Sequence, residues 1–214
     1  MKRELPHTLS LYRGALIATG LLFLGACATP PIAEAPASAP LPAVEKPYPF
    51  QVGYKRETKR QDGRANFITV IEVTEDTVTW QSDGGCTHTR PHDNFAPSIK
   101  WTGCTTNGTH EYELIEGQPY PIKVGNAWRY KVSGQNDTGG KWDTTRSCKV
   151  EGEVQVTVPM GTYDTFKVVC RDTWRVRTWY ISPELGQSVF FSNSRPQQNE
   201  IWTHELVRIE QVGS

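Results

Sequence analysis

The chain has 214 residues, a formal net charge of zero, 37% hydrophobic residues and seven tryptophans. That length suits one sizeable domain with appendages. Balanced charge gives no electrostatic reason to bind nucleic acid or an anionic surface.

The first element is an export signal. Lys2, Arg3 and Arg13 flank "GALIATGLLFLGA", residues 14–26, which is almost wholly apolar. The run is shorter than the roughly 20 residues that span a bilayer as a helix. A basic flank, a short apolar core and small residues at its end describe a signal peptide over residues 1–26. Its removal leaves 20 basic and 22 acidic residues.

Leu24-Gly25-Ala26-Cys27 resembles the bacterial lipobox. The resemblance implies cleavage before Cys27, a diacylglyceryl thioether on its sulfur and an acyl chain such as palmitate on its new amine. The thiolate is the nucleophile in that transfer. Several chains together make the anchor stable, at about 0.8 kcal/mol per buried methylene. The next residue is Ala28 rather than Asp, which in that family implies the outer membrane, with the body facing the periplasm. The competing reading is an ordinary secretory cut after Ala26 or Ala28.

Residues 27–49 are dominated by Ala and Pro. Each proline blocks helix propagation. The expectation is a lipidated Cys27 followed by an extended, solvated tether reaching on the order of 60 Å at ~3 Å per residue.

From residue 50 to 214 the pattern is β. Val154, Val156 and Val158 alternate with polar residues, and Pro159-Met160-Gly161 reads as a three-residue hairpin loop. Phe166 and Val168 return on the dry face. Trp128, Tyr130 and Val132 alternate likewise, as do Val78 and Trp80 between threonines. In "EIWTHELVRIE", Ile201 to Ile209 at odd positions share one face. The count is roughly nine or ten strands with no amphipathic helix, an all-β antiparallel sandwich, barrel or strongly curved meander. "FQVGYKRETKRQDG" and "IKVGNAWRYKVSGQ" echo one another, which reads either as a duplicated unit or as the general likeness of two β-meanders. "PIKVGNAWRY", "VTVPMGTYDTFKVVC" and "TWYISPELGQSV" resemble uncharacterised β-rich domains of proteobacterial lipoproteins. That resemblance covers residues 119–191 and implies a fold and an envelope address, with no catalytic residue.

Four cysteines follow Cys27: Cys86, Cys104, Cys148 and Cys170. An even count in an exported chain implies two disulfides, with three connectivities open. The favoured pairs are Cys86–Cys104 and Cys148–Cys170; free thiols and crossed pairing are the alternatives. The first pair closes "GGCTHTRPHDNFAPSIKWTGC", a polar loop without a strand pattern. The second needs a bulge near Gly152, because a regular ladder from the hairpin sets Cys170 opposite Val150.

No nucleophile elbow, metalloprotease helix, phosphate loop or dinucleotide fingerprint occurs. Cys86, His88, His92 and Asp93 cluster, but their spacing fits no standard metal-ligand pattern. Arg171, Arg175 and Arg177 read as the wet face of a strand, and Glu111, Glu113 and Glu116 as a solvated edge. No catalytic residue, cofactor or metal is expected. The expected function is a non-catalytic envelope lipoprotein. It is anchored in the membrane through Cys27 and serves as a binding or assembly module for an unknown envelope protein or ligand. One alternative is a carrier of an apolar ligand in a concave sheet; the other is a glycan- or peptidoglycan-acting enzyme.

Overall fold

The computed structural model describes residues 32–211. The chain forms β1 (Ala35–Pro36), β2 (Lys55–Arg60), β3 (Ala65–Val73), β4 (Thr77–Ser82), β5 (Thr87–Pro91), β6 (Lys100–Thr102) and β7 (Gly108–Gly117). It continues with β8 (Ala127–Asn136), β9 (Lys141–Val158), β10 (Gly161–Arg171), β11 (Val176–Ser182), β12 (Gln187–Arg195) and β13 (Glu200–Glu210). Each strand from β2 to β12 pairs antiparallel with the next, and β13 pairs back on β2. The result is a closed up-and-down barrel of twelve strands, with β1 as one extra strand on β9. Closure leaves the ring without an edge.

The all-β antiparallel expectation holds, as a barrel, but nine or ten strands was too few. The undercount lies in the loop closed by Cys86 and Cys104, which contains β5 and β6. These strands have five and three residues and no apolar alternation to reveal them.

Connections alternate between two ends of an antiparallel barrel. The near end carries the entry to β2 and the connections 74–76, 92–99, 118–126, 159–160 and 183–186. The far end carries 61–64, 83–86, 103–107, 137–140, 172–175 and 196–199.

The barrel is built twice on one plan, β2–β7 and β8–β13. Gly53 N–H donates to Val70 O at 2.8 Å and Val70 N–H to Tyr54 O at 2.9 Å. Gly125 N–H donates to Val150 O at 3.0 Å and Val150 N–H to Asn126 O at 2.9 Å. Gly53 and Gly125 have φ of 88° and 87°, so each Val-Gly turn needs the left-handed backbone that glycine tolerates. A bulge follows Val70 in the first half and Val150 in the second. Another follows Leu114 on β7 and Leu206 on β13. The sequence echo thus marks a structural repeat.

The bulge on β9 falls at Glu151, beside Gly152, and sets Cys148 directly opposite Cys170. Their Cα atoms are 4.0 Å apart and the sulfurs lie at disulfide distance, as do those of Cys86 and Cys104. The hairpin loop is shorter than expected. Val158 pairs with Gly161, so only Pro159 and Met160 lie between the strands.

Two apolar clusters sandwich the β11–β12 ribbon. Trp179, Ile181 and Phe191 join Trp128, Phe166 and Val168 on one face, whereas Tyr180 and Phe190 join Val156, Val158 and Leu206 on the other. The β5–β6 connection drives Phe95 into the first cluster, against Trp128 and Trp179. A third cluster gathers Phe50, Tyr54, Val70, Val78 and Trp80.

The structure corrects the solvated tether over residues 32–49. Ala35 and Pro36 pair with Gln155 and Val154. They cover the part of β9 that overhangs β8. Glu34 binds Lys167 at 2.8 Å and also accepts from Tyr180 O–H, and Ser38 N–H donates to Asp164 at 3.1 Å. Leu41 and Val44 pack on the first cluster, and Val44 bridges Ile122 in the β7–β8 connection. Tyr48 lies against the Gly186 turn and stacks with Phe50. Proline stops helices but tolerates an edge strand, so an Ala/Pro composition did not preclude docking. The segment is a strap across the near end. The signal peptide and Cys27 lie outside the described residues.

Candidate functional site

The barrel interior is basic. On β2, Tyr54, Arg56 and Thr58 fall on alternate positions, and Arg56 stands opposite Ile68 and Ile209 of the neighbouring strands. On β5, His88 stands opposite Trp80 and Arg90 opposite Val78, both members of the third cluster. Alternation therefore carries Arg56, His88 and Arg90 inward with their apolar neighbours. The Nε atoms of Arg56 and Arg90 are buried without a hydrogen-bond partner. Burial, then Arg56, pulls Arg90 down to about 10. Burial also lowers Arg56. His204 closes this column toward the far end, its Nδ1 3.2 Å from Thr58 Oγ1. His88 and His204 are held down to about 4, first by burial, then by Arg90 for His88 and by Arg56 and Arg60 for His204.

A second group centres on Arg146 of β9 and draws on both halves. Arg146 donates through Nη1 to Phe95 O at 2.8 Å, but its Nε is buried without a partner. Burial, then Arg177, lowers it to about 9. Arg177 binds Asp172 at 2.6 Å. Burial alone raises Asp172, but Arg177 more than offsets this and holds the carboxyl below its usual range. Asp93 accepts from Tyr130 O–H and from Phe95 N–H, and burial raises its pKa. His110 stacks between Trp101 and Trp142, with ring centroids 4.8 and 5.4 Å away. Gly108 and Gly134 leave room for these indoles, since a Cβ at either position falls within 2.4 Å of a ring.

Among the described residues, no carboxylate lies within ion-pair distance of Arg56, Arg90, Arg146 or Arg175. Buried cations without a counter-ion are costly. Two cavities flank this interior. One of about 500 Å³ opens at the far end between Arg60, Asp62, Trp202 and His204. The other, about 460 Å³, lies on the outer wall and is lined largely by charged residues such as Lys55, Glu57 and Arg208.

No protein-family model matches the chain, and no curated protein matches it in sequence. Two solved structures are similar in shape. The hypothetical lipoprotein YmcC from Escherichia coli is 11% identical, over 78% of this chain and 92% of that one, with a TM-score of 0.49. An exported protein with a YmcC-like fold from Bacteroides fragilis is 9% identical, over 78% of this chain and 100% of that one, with a TM-score of 0.43. At such identities and scores both are likenesses of β-rich shape, and neither tells what this chain binds.

The residues singled out in the sequence are scattered. His88 Nε2 lies 3.3 Å from Cys86 Sγ, and with Cys104 these ligand-type atoms fall within 4.8 Å of one another. The sulfurs are at disulfide distance, however, and a disulfide offers a metal no thiolate. His92 turns away to Thr74 O at 3.0 Å, and Asp93 to Tyr130. Glu111, Glu113 and Glu116 are exposed on the wall of β7, where Glu116 binds Arg129 at 3.2 Å. Arg171 is on a wet face with Glu151, but Arg175 and Arg177 are partly buried, contrary to expectation. Arg56, Arg90 and Arg146 were not anticipated. The available signal was parity: Arg146 shares the alternation of Thr144, Cys148 and Val150, all buried.

Proposed function

We propose that the chain is an envelope lipoprotein without a reaction of its own, whose barrel binds an anionic ligand. In this reading residues 1–26 direct export, Cys27 carries the acyl chains, and the body stands at the outer membrane facing the periplasm. The supporting observation is the set of inward arginines, Arg56, Arg90 and Arg146, whose Nε atoms are buried without a hydrogen-bond partner and which pair with no carboxylate among the described residues. Guanidinium presents a planar fork suited to carboxylate or phosphate oxygens. An anion between Arg56 and Arg90 offsets the repulsion each exerts on the other. The cavity on the outer wall, lined largely by charged residues, offers an apolar cargo little purchase.

The test is thermal unfolding with inorganic phosphate against sodium chloride at equal ionic strength. A hundredfold excess over Kd stabilises by about 2.7 kcal/mol, which for a chain of this size is about 5–10 °C. Arg56→Gln with Arg90→Gln should abolish the phosphate shift while leaving the barrel folded. An equal shift in that variant, or no phosphate-specific shift in the parent, refutes the reading.

A further inference from the structure

The two barrel ends are unlike, and the difference points to where the membrane lies. The strap consumes most of the chain between Cys27 and the barrel. Ile32 already packs in the second apolar cluster. The buried members of that cluster, Val156, Val158, Tyr180, Val189, Phe190 and Leu206, all belong to the near halves of their strands. Five peptide steps separate Cys27 from Ile32, and a fully extended chain covers them in at most about 18 Å.

The apolar surface is biased the same way. Val52, Ile71, Ile115 and Val124 are large hydrophobics 41–60% exposed. Val52 and Val124 are the paired Val-Gly turns of the two halves and sit on near-end connections. Ile71 and Ile115 are bulge residues in the near-end parts of β3 and β7. Six strands separate β2 from β8 around a ring of twelve, so the two turns stand on opposite sides of the rim. The strap also presents exposed prolines at 40, 42 and 49. Phe67 and Trp174 are the other exposed large hydrophobics, the first toward the far part of β3 and the second in a far-end turn.

We propose that the near end of the barrel rests on a phospholipid surface, with Val52 and Val124 at the headgroup boundary and the far end turned away from the bilayer. This rests on acylation of Cys27, which fixes the origin of the short leader. The strap then acts as a spacer of fixed length, and the cavity beside His204 and Trp202 opens into the aqueous phase.

The test uses the full chain in intact cell envelopes. A benzophenone amino acid replaces Val52 or Val124 at the near end, or Thr138 or Trp174 at the far end. After illumination, peptides are analysed by mass spectrometry, together with the mature N-terminal peptide. Phospholipid adducts at 52 and 124, and none at 138 and 174, are expected. With Cys27 acylated, equal adducts at both ends, no lipid adduct at 52 and 124, or protein adducts there instead overturn the orientation alone. An unmodified Cys27 overturns the anchor and the orientation together.

Discussion

Replacing Glu34 with alanine measures how firmly residues 32–49 are held on the barrel. The Glu34 carboxylate accepts from Lys167 Nζ at 2.8 Å and from Tyr180 O–H. Its side chain is 20% exposed and that of Lys167 23%, so water reaches the pair but does not surround it. A charge-assisted hydrogen bond contributes about 1.5–3 kcal/mol. Partial exposure places the loss near the lower half of that range, about 2 kcal/mol after allowance for screening. For a chain of this length, that lowers Tm by about 4–8 °C. Glu45→Ala is the matched control, since Glu45 is exposed on the same strap, and it should change stability by less than about 0.5 kcal/mol. Calorimetry on the two variants, with Lys167→Ala to complete a double-mutant cycle, gives the coupling directly. If Glu34→Ala matches Glu45→Ala, and the cycle shows no coupling to Lys167, the strap is not docked. The solvated tether then returns, and the fixed spacing from the membrane goes with it.

Removing each disulfide as a double serine variant should cost about 3 kcal/mol, because both loops are short (separations of 18 and 22 residues). Cys148 and Cys170 are at most 3% exposed, so serines there also bury hydroxyl groups and should cost more than those at Cys86 and Cys104. Urea midpoints rank the two, and the reverse order would contradict the inner position of the second pair. Stability should also fall on acidification. His88 and His204 are held down to about 4 by burial, whereas an unfolded imidazole titrates near 6.5. Between those values the unfolded chain binds more protons, so the contribution is complete above about 6.5 and drains away toward about 4. The loss of stability between pH 7 and 4.5 should be smaller in His204→Gln than in the parent, and an equal loss would refute the burial of that imidazole in its neutral form.

Much of the architecture was written in local pattern. Val154, Val156 and Val158 announced a hairpin, and the two Val-Gly turns announced a repeat. What escaped was set by distance and by irregularity. Closure of the ring depends on β13 meeting β2, a pairing between chain segments nearly 150 residues apart. The bulge at Val207 returns Ile209 to the row of Leu206. Strict alternation across "EIWTHELVRIE" had assigned them to opposite faces. The strap escaped because its apolar anchors, Leu41, Val44 and Tyr48, are spaced irregularly among prolines and follow neither a period of two nor of 3.6. The basic interior escaped for a different reason: arginine on a strand is usually solvated, and only its parity with buried neighbours gives the exception away.

The repeat explains how so polar an interior is tolerated. Register equates Arg56 and Ile68 of the first half with Trp128 and Cys148 of the second, and Thr58 and Asn66 with Tyr130 and Arg146. The backbone devices are kept in both halves: the Val-Gly turn, the bulge after Val70 or Val150, and the bulge after Leu114 or Leu206. Side chains at equivalent inward positions are not kept. In the second half they build the largest apolar cluster, closed by Phe95 and stapled by Cys148 and Cys170. Such a core contributes much of the ring's stability, since each fully buried large hydrophobic side chain is worth about 1.5–3 kcal/mol. The first half can then hold Arg56, His88 and Arg90 on inward positions without unfolding the ring, with His204 of the second half beside Thr58. Division of labour between equivalent halves is what a duplicated scaffold allows: the second half carries the larger apolar core, and Arg56, His88 and Arg90 take inward positions in the first.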